Sequence, residues 1–104
     1  MLDSTTYESV GEFVKALGHE KRLQLIDLLR DDERCVEDLS NAMGISVKSV
    51  SAHLRVMRTH GVLITRREGN RVYYRVSTIE ILDLYRHIVD VVLLNNWRTI
   101  TPIR

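Results

Sequence analysis

The 104-residue sequence contains one cysteine, one proline, one tryptophan and one phenylalanine. A single thiol excludes an intramolecular disulfide and fits a reducing compartment, so a cytoplasmic protein is expected. The one proline, Pro102, lies in a short tail, so no proline interrupts a helix before it. Long apolar runs are missing too: none reaches the roughly 18 residues of a membrane span. The first residues, Met1 to Thr6, lack the charged-then-apolar build of a signal peptide, and no membrane association is expected. Internal repeats and low-complexity segments are absent. So is any catalytic set: there is no defensible Ser-His-Asp order, no P-loop and no Gly-rich dinucleotide fingerprint, and Gly69 reads as a turn residue. An enzyme is not expected. The length suits one domain, burying roughly two thirds of its unfolded surface.

Acid is almost lacking from one stretch. Ile45 to Val76 carries Lys48, Arg55, Arg58, Arg66, Arg67, Arg71 and Arg75 against a single acid, Glu68, whereas the remainder holds eight basic and thirteen acidic residues. A net charge of +1 thus conceals a strongly basic third and an acidic remainder. Basic charge gathered in one segment suits a phosphate backbone, because each neutralised phosphate releases condensed counterions. On their own these arginines read equally well as a solvated face.

Periodicity predicts a mainly α domain with a small β-hairpin, about five helices and two strands. Tyr7, Val10, Phe13, Val14 and Leu17 fall at helical spacing over about 5–17, with Gly18 as a stop. A second helix runs from about Glu20 to Arg30, with Leu23, Leu25, Ile26, Leu28 and Leu29 inward, and Asp31, Asp32 and Glu33 form a solvated loop. Val36, Leu39, Ala42 and Met43 mark a short third helix closed by Gly44, a residue suited to a left-handed position. Ser46 caps the fourth helix, whose inner face is Val47, Val50, Leu54 and Met57 and which ends at Gly61. From Val62 the period becomes two: Val62–Arg67 and Arg71–Val76 read as strands joined through Glu68-Gly69-Asn70. Along the return strand Val72, Tyr74 and Val76 alternate with Arg71, Tyr73 and Arg75. The last helix, about 78–95, is apolar over far more than one stripe, which calls for burial on two sides. A second subunit is the natural source of that cover, so a two-fold homodimer is expected.

Residues 36–60 fit a helix-turn-helix, and the hairpin over about 62–76 fits a wing. On a wheel of 100° per residue, Lys48, Ala52, Arg55 and Thr59 oppose the core side of the fourth helix, with Ser49 and Ser51 flanking that face. Small and polar side chains there allow close approach to base edges, and Lys48 and Arg55 reach bases or phosphates. His53 falls nearer the core boundary, as a phosphate contact or a packing residue. The wing tip, with Arg66, Arg67, Asn70 and Arg71, suits a minor groove or its flanking phosphates.

The segments ALGHEKRLQLIDLL, CVEDLSNAMGISVKSVSAHLRVMRTHGVL and RREGNRVYYRVS are similar to the ArsR/SmtB-type family of bacterial and archaeal winged-helix repressors. The resemblance covers roughly Ala16 to Val76. It implies a dimer joined through its first and last helices, each subunit placing a recognition helix in the major groove of a palindromic double-stranded operator. Ser46, Lys48, Ser49, Ser51 and His53 take the recognition-helix roles by motif, and Arg66 to Arg71 the wing. The family also implies an inducer, often a metal or metalloid ion, sometimes a reactive sulfur species, or none.

The family's metalloid site has an E-L-C-V-C-D-L-C pattern where this chain reads Glu33-Arg34-Cys35-Val36-Glu37-Asp38-Leu39-Ser40. One thiol cannot build a three-thiolate site or an internal dithiol switch. Cys35 is either a small buried hydrophobe or a lone thiol sensor. Asp83, His87 and Asp90 share one face of the last helix and form a candidate set for a divalent metal inducer, zinc or nickel, completed by a partner helix. The plainer reading is a polar strip at the dimer edge. His19 and His60 sit at helix ends, where capping accounts for them. The preferred function is a homodimeric, sequence-specific DNA-binding repressor. A winged helix used for protein interaction would not distinguish operator from random duplex, and a nonspecific architectural DNA binder would show a specificity ratio near one.

Overall fold

A computed structural model describes residues 1–95; Pro102 and the rest of the tail lie outside the described residues. The elements in chain order are α1 (Ser4–Leu17), α2 (Glu20–Leu28), β1 (Arg34–Cys35), α3 (Val36–Met43), α4 (Val47–Thr59), β2 (Leu63–Glu68), β3 (Arg71–Val76) and α5 (Ile79–Asn95). The described residues form five helices and a three-stranded antiparallel sheet of order β1-β3-β2. The additional strand, β1, corrects the two-strand expectation. It is two residues long, pairing Arg34 with Tyr74 and Cys35 with Tyr73, and two residues carry no readable period.

The starts of α1, α2 and α4 are each held by a side chain that takes an otherwise unpaired N–H, whereas α3, preceded by Cys35, has no such cap. Asp3 Oδ1 accepts from the Thr6 amide at 2.8 Å, His19 Nδ1 from Lys21 at 3.0 Å, and Ser46 Oγ from Ser49 at 3.1 Å. The turn between α3 and α4 depends on Gly44 at φ 68°, a left-handed conformation that a β-carbon disfavours. Ser40 Oγ donates to the Ile45 carbonyl at 2.5 Å and closes that turn from within. β2 and β3 pair from Leu63 with Val76 out to Glu68 with Arg71, leaving Gly69 and Asn70 as a two-residue hairpin loop.

Leu25, Ile26, Leu39, Val50, Leu54, Met57 and Val62 have no exposed surface and form the centre of the core, where α2, α3 and α4 meet the base of the wing. Truncating one of them, Leu54→Ala for instance, costs about 3 kcal/mol, since the lost transfer energy is compounded by a cavity. Val47, expected on the inner face of α4, is exposed. It occupies the first helical position, before the helix has turned toward α2, and the core side begins at Val50. α4 is thus held by three buried side chains, Val50, Leu54 and Met57, leaving its other face free.

Candidate nucleic-acid interface

The free face of α4 carries Lys48, Ser49, Ala52, Arg55 and Thr59, all exposed, with Ser51 half-buried beside them. That face follows from the 3.6-residue period: with Val50, Leu54 and Met57 fixed inward, these positions have nowhere to go but outward. The face is short in bulk where Ser49, Ser51 and Ala52 lie and cationic at its flanks. A groove of about 440 Å³ runs along its far side, lined by Ser51, Arg55, Arg58, Thr59 and Tyr74. Tyr74 belongs to β3, so helix and wing enclose one continuous concavity.

Ser46 sits at the cap of α4, and its hydroxyl also donates to Ser49 Oγ at 3.0 Å. His53 is turned away from the free face. Its Nδ1 lies 3.4 Å from Arg22 Nη1, and its ring lies 4.5 Å from that of His19. Arg22 in turn donates through Nη2 to the Lys15 carbonyl at 3.1 Å, so this cluster ties α1, α2 and α4 together. Burial, then the proximity of His19, Arg22 and Lys21, holds the His53 imidazole below the ordinary histidine range. His53 therefore stands as a neutral packing group in the free protein. His60 is likewise a helix-end residue, its Nδ1 2.9 Å from the Val56 carbonyl.

The wing arginines separate by strand parity. Arg67, with Thr65, Val72 and Tyr74, lies on the sheet face directed toward α4; Arg66, Arg71 and Arg75 lie on the opposite face. Arg67, Asn70 and Arg71 are exposed near the tip. Arg66 is occupied. Its Nε donates to both oxygens of Glu33, at 3.1 and 3.2 Å, its Nη2 to Glu33 Oε1, and its Nη1 to Glu68 Oε2 at 2.6 Å. The guanidinium carbon also lies 4.8 Å from the centre of the Tyr73 ring. These bonds hold the Glu33 carboxyl below its ordinary range and raise the Arg66 guanidinium above its own.

Neither inducer candidate gathers a binding site. Cys35 has no exposed surface; it precedes α3, with Arg71 Nη1 3.7 Å from its sulfur. Of the two expectations for Cys35, this burial favours the packed hydrophobe, since a reactive thiol needs access to its oxidant. Asp83, His87 and Asp90 are exposed on α5, and Asp83 accepts from Arg86 at 3.4 Å, which brings a cation rather than a second ligand to the carboxylate. Among the described residues no three His, Cys, Asp or Glu side chains are placed to hold a metal ion. The donor set within one subunit does not fit a divalent ion.

Apolar surface is left uncovered on both terminal helices. Tyr7, Val10 and Val14 repeat at helical spacing along α1 and are exposed, as are Leu84, Ile88, Val91 and Val92 along α5. Among the described side chains of α5 only Ile81 is buried, with Leu82 and Tyr85 packed partly against the core. An open groove of about 500 Å³ between α2, α3 and α5, lined by Leu23, Leu28, Met43, Tyr85, Ile88 and Val89 among others, extends this surface. No helix among the described residues is long and apolar enough to cross a membrane.

The family model described as bacterial regulatory protein, arsR family, matches residues 19–65, from the cap of α2 into β2. A transcriptional repressor SmtB homolog of Synechocystis is 37% identical over 83 residues, covering 80% of this chain and 63% of its own. The HTH-type transcriptional regulator Rv0324 of Mycobacterium tuberculosis is 37% identical over 78 residues, and this chain spans only 34% of its length. Among solved structures, the homodimeric winged helix-turn-helix DNA-binding domain of a possible ArsR-family regulator from Mycobacterium bovis (fragment 1–100) superposes with a TM-score of 0.80. It is 31% identical, and the match covers 100% of this chain and 97% of that one. The crystal structure of M. tuberculosis Rv0081 gives a TM-score of 0.77 at 30% identity over 90% of this chain and 98% of that one. With the same helix-turn-helix, the same wing and this level of identity across nearly the whole domain, the chain belongs to the ArsR family of bacterial regulatory proteins.

Proposed function

We propose that this protein is a homodimeric, sequence-specific transcriptional repressor that binds a palindromic double-stranded DNA operator. The observation that carries the reading is the exposed face of α4, small at Ser49, Ser51 and Ala52 and cationic at Lys48 and Arg55. Inserted in a major groove, that face brings its short side chains to base edges while the two cations reach bases or adjacent phosphates. Arg67, Asn70 and Arg71 at the wing tip then meet the neighbouring backbone. The uncovered apolar faces of α1 and α5 supply the two-fold contact that sets two such helices about one DNA turn apart. The relatives named SmtB homolog and the M. bovis homodimeric DNA-binding domain support both parts of this reading.

The test is selection of duplexes from a random-sequence pool, followed by anisotropy titration of the enriched duplex against a scrambled control. Enrichment of a two-fold symmetric sequence, bound at least about 1,000-fold more tightly than the control, is the expected result. Equal affinity for both duplexes would leave only nonspecific binding.

A further inference from the structure

The wing is joined to the body of the domain by its own strand ends, by the two-residue β1–β3 pairing, by the approach of Arg71 to the Cys35 sulfur and by one long-range set of charged side-chain bonds. That set begins at Glu33, in the acidic loop after α2, and ends at Arg66, thirty-three positions later on β2. Between them lies Tyr73 of β3, the register partner of both Cys35 and Arg66. The Arg66 guanidinium thus crosses the sheet: it stacks over the middle strand and reaches the residue that leads into the far one. Two strand spacings are roughly 10 Å, a span a long arginine side chain and a glutamate cover between them.

We infer that Glu33 is a positioning residue for DNA binding, which together with Tyr73 and Glu68 fixes Arg66 as a strut for the wing and withholds it from the duplex. The inference rests on the wing being a DNA-contacting element. Three observations support it. The Glu33 and Glu68 carboxylates engage all three nitrogens of Arg66, and one face of its plane is occupied by the Tyr73 ring. Arg66 points to the sheet face opposite Tyr74, the residue that lines the groove beside α4. Finally, one cation between two carboxylates leaves no positive charge over for a phosphate, whereas Arg67 and Arg71 form no ion pair among the described residues. An exposed ion pair adds little to stability. A forked one joining two elements has another effect: it limits the tilt of a protruding hairpin, so that less freedom is lost when the hairpin meets DNA.

The test uses the full chain and the enriched duplex, with binding measured from low to moderate salt for wild type, E33Q, R66Q, the double variant E33Q/R66Q, and R67Q as a phosphate-contact reference. Arg66→Gln and Glu33→Gln are each expected to weaken binding about three- to tenfold, the double variant no more than either alone, since both remove one strut. The salt slope stays at the wild-type value in all three, while R67Q, which removes one phosphate contact from each subunit of the dimer, lowers it by about 1.8. A second measurement needs no variant: the Arg66 Nε–Hε resonance of the wild-type protein is expected to keep its position when duplex is added. A slope lowered by R66Q, tighter binding by E33Q, additive losses in the double variant, or displacement of that resonance by DNA each overturns the strut. Failure of the wild-type protein to bind any duplex overturns instead the reading on which it rests.

Discussion

Ser46 shows how much one hydroxyl carries in this fold. Its oxygen accepts the Ser49 amide at the start of α4, and its proton goes to Ser49 Oγ, fixing a side chain on the free face. Ser46→Ala is expected to cost about 1 kcal/mol of stability, measured by thermal melting, through loss of the cap. Substitution at Ser49 or Ser51 acts differently, changing which duplex is enriched by selection while the melting temperature stays within a few degrees. His53 gives the pH dependence. Its folded-state value is depressed, so below about pH 6.5 the unfolded chain takes up a proton that the native site resists, and stability falls as pH drops toward the folded value. Arg22, Lys21 and His19 surround the ring, so a charged imidazole gains no carboxylate partner among them. The melting temperature is therefore expected to decrease between pH 7.5 and 5, and His53→Gln to flatten that decrease; an unchanged slope in the variant would locate the titration elsewhere. The outward placement of Lys48, Ala52, Arg55 and Thr59 is legible in the sequence because a helix of known phase fixes the outward positions. The engagement of Arg66 was not readable, since its partner lies thirty-three positions away in a loop that periodicity describes only as solvated.

At the scale of elements, α4 and α5 illustrate opposite uses of an exposed face. α4 exposes small and charged groups over a fully apolar inner seam, the pattern of a helix anchored on one side only. α5 exposes Leu84, Ile88, Val91 and Val92, which no isolated domain of this size gains by leaving in water. Because these side chains are exposed in the single subunit, Val91→Lys leaves the subunit fold intact and acts on association. Sedimentation is expected to show dimer dissociation at least about thirtyfold easier in that variant. A dimer of unchanged stability would place the subunit contact on another face. Periodicity made the helices and the hairpin legible, while β1 escaped because its two residues pair through backbone alone at the edge of β3. The position of Val47 escaped for a related reason: the inward stripe starts only where α4 meets its neighbours.

For the whole molecule the governing fact is the separation of charge along the chain, with seven basic residues and one acid between Ile45 and Val76. The fold preserves part of that separation and cancels part. Lys48 and Arg55 on α4, with Arg67 and Arg71 on the wing, are exposed and without a carboxylate partner among the described residues, whereas Arg66 is bound by Glu33 and Glu68. In the proposed dimer, two subunits related by a two-fold axis would present these cations twice, about one DNA turn apart. The most direct measurement is the salt dependence of binding to the enriched duplex. The expected result is a logarithmic slope of about −5 or steeper, reduced in Arg71→Ala and retained in Arg66→Gln. A slope near zero, or the same affinity for a scrambled duplex, would contradict sequence-specific binding through this surface.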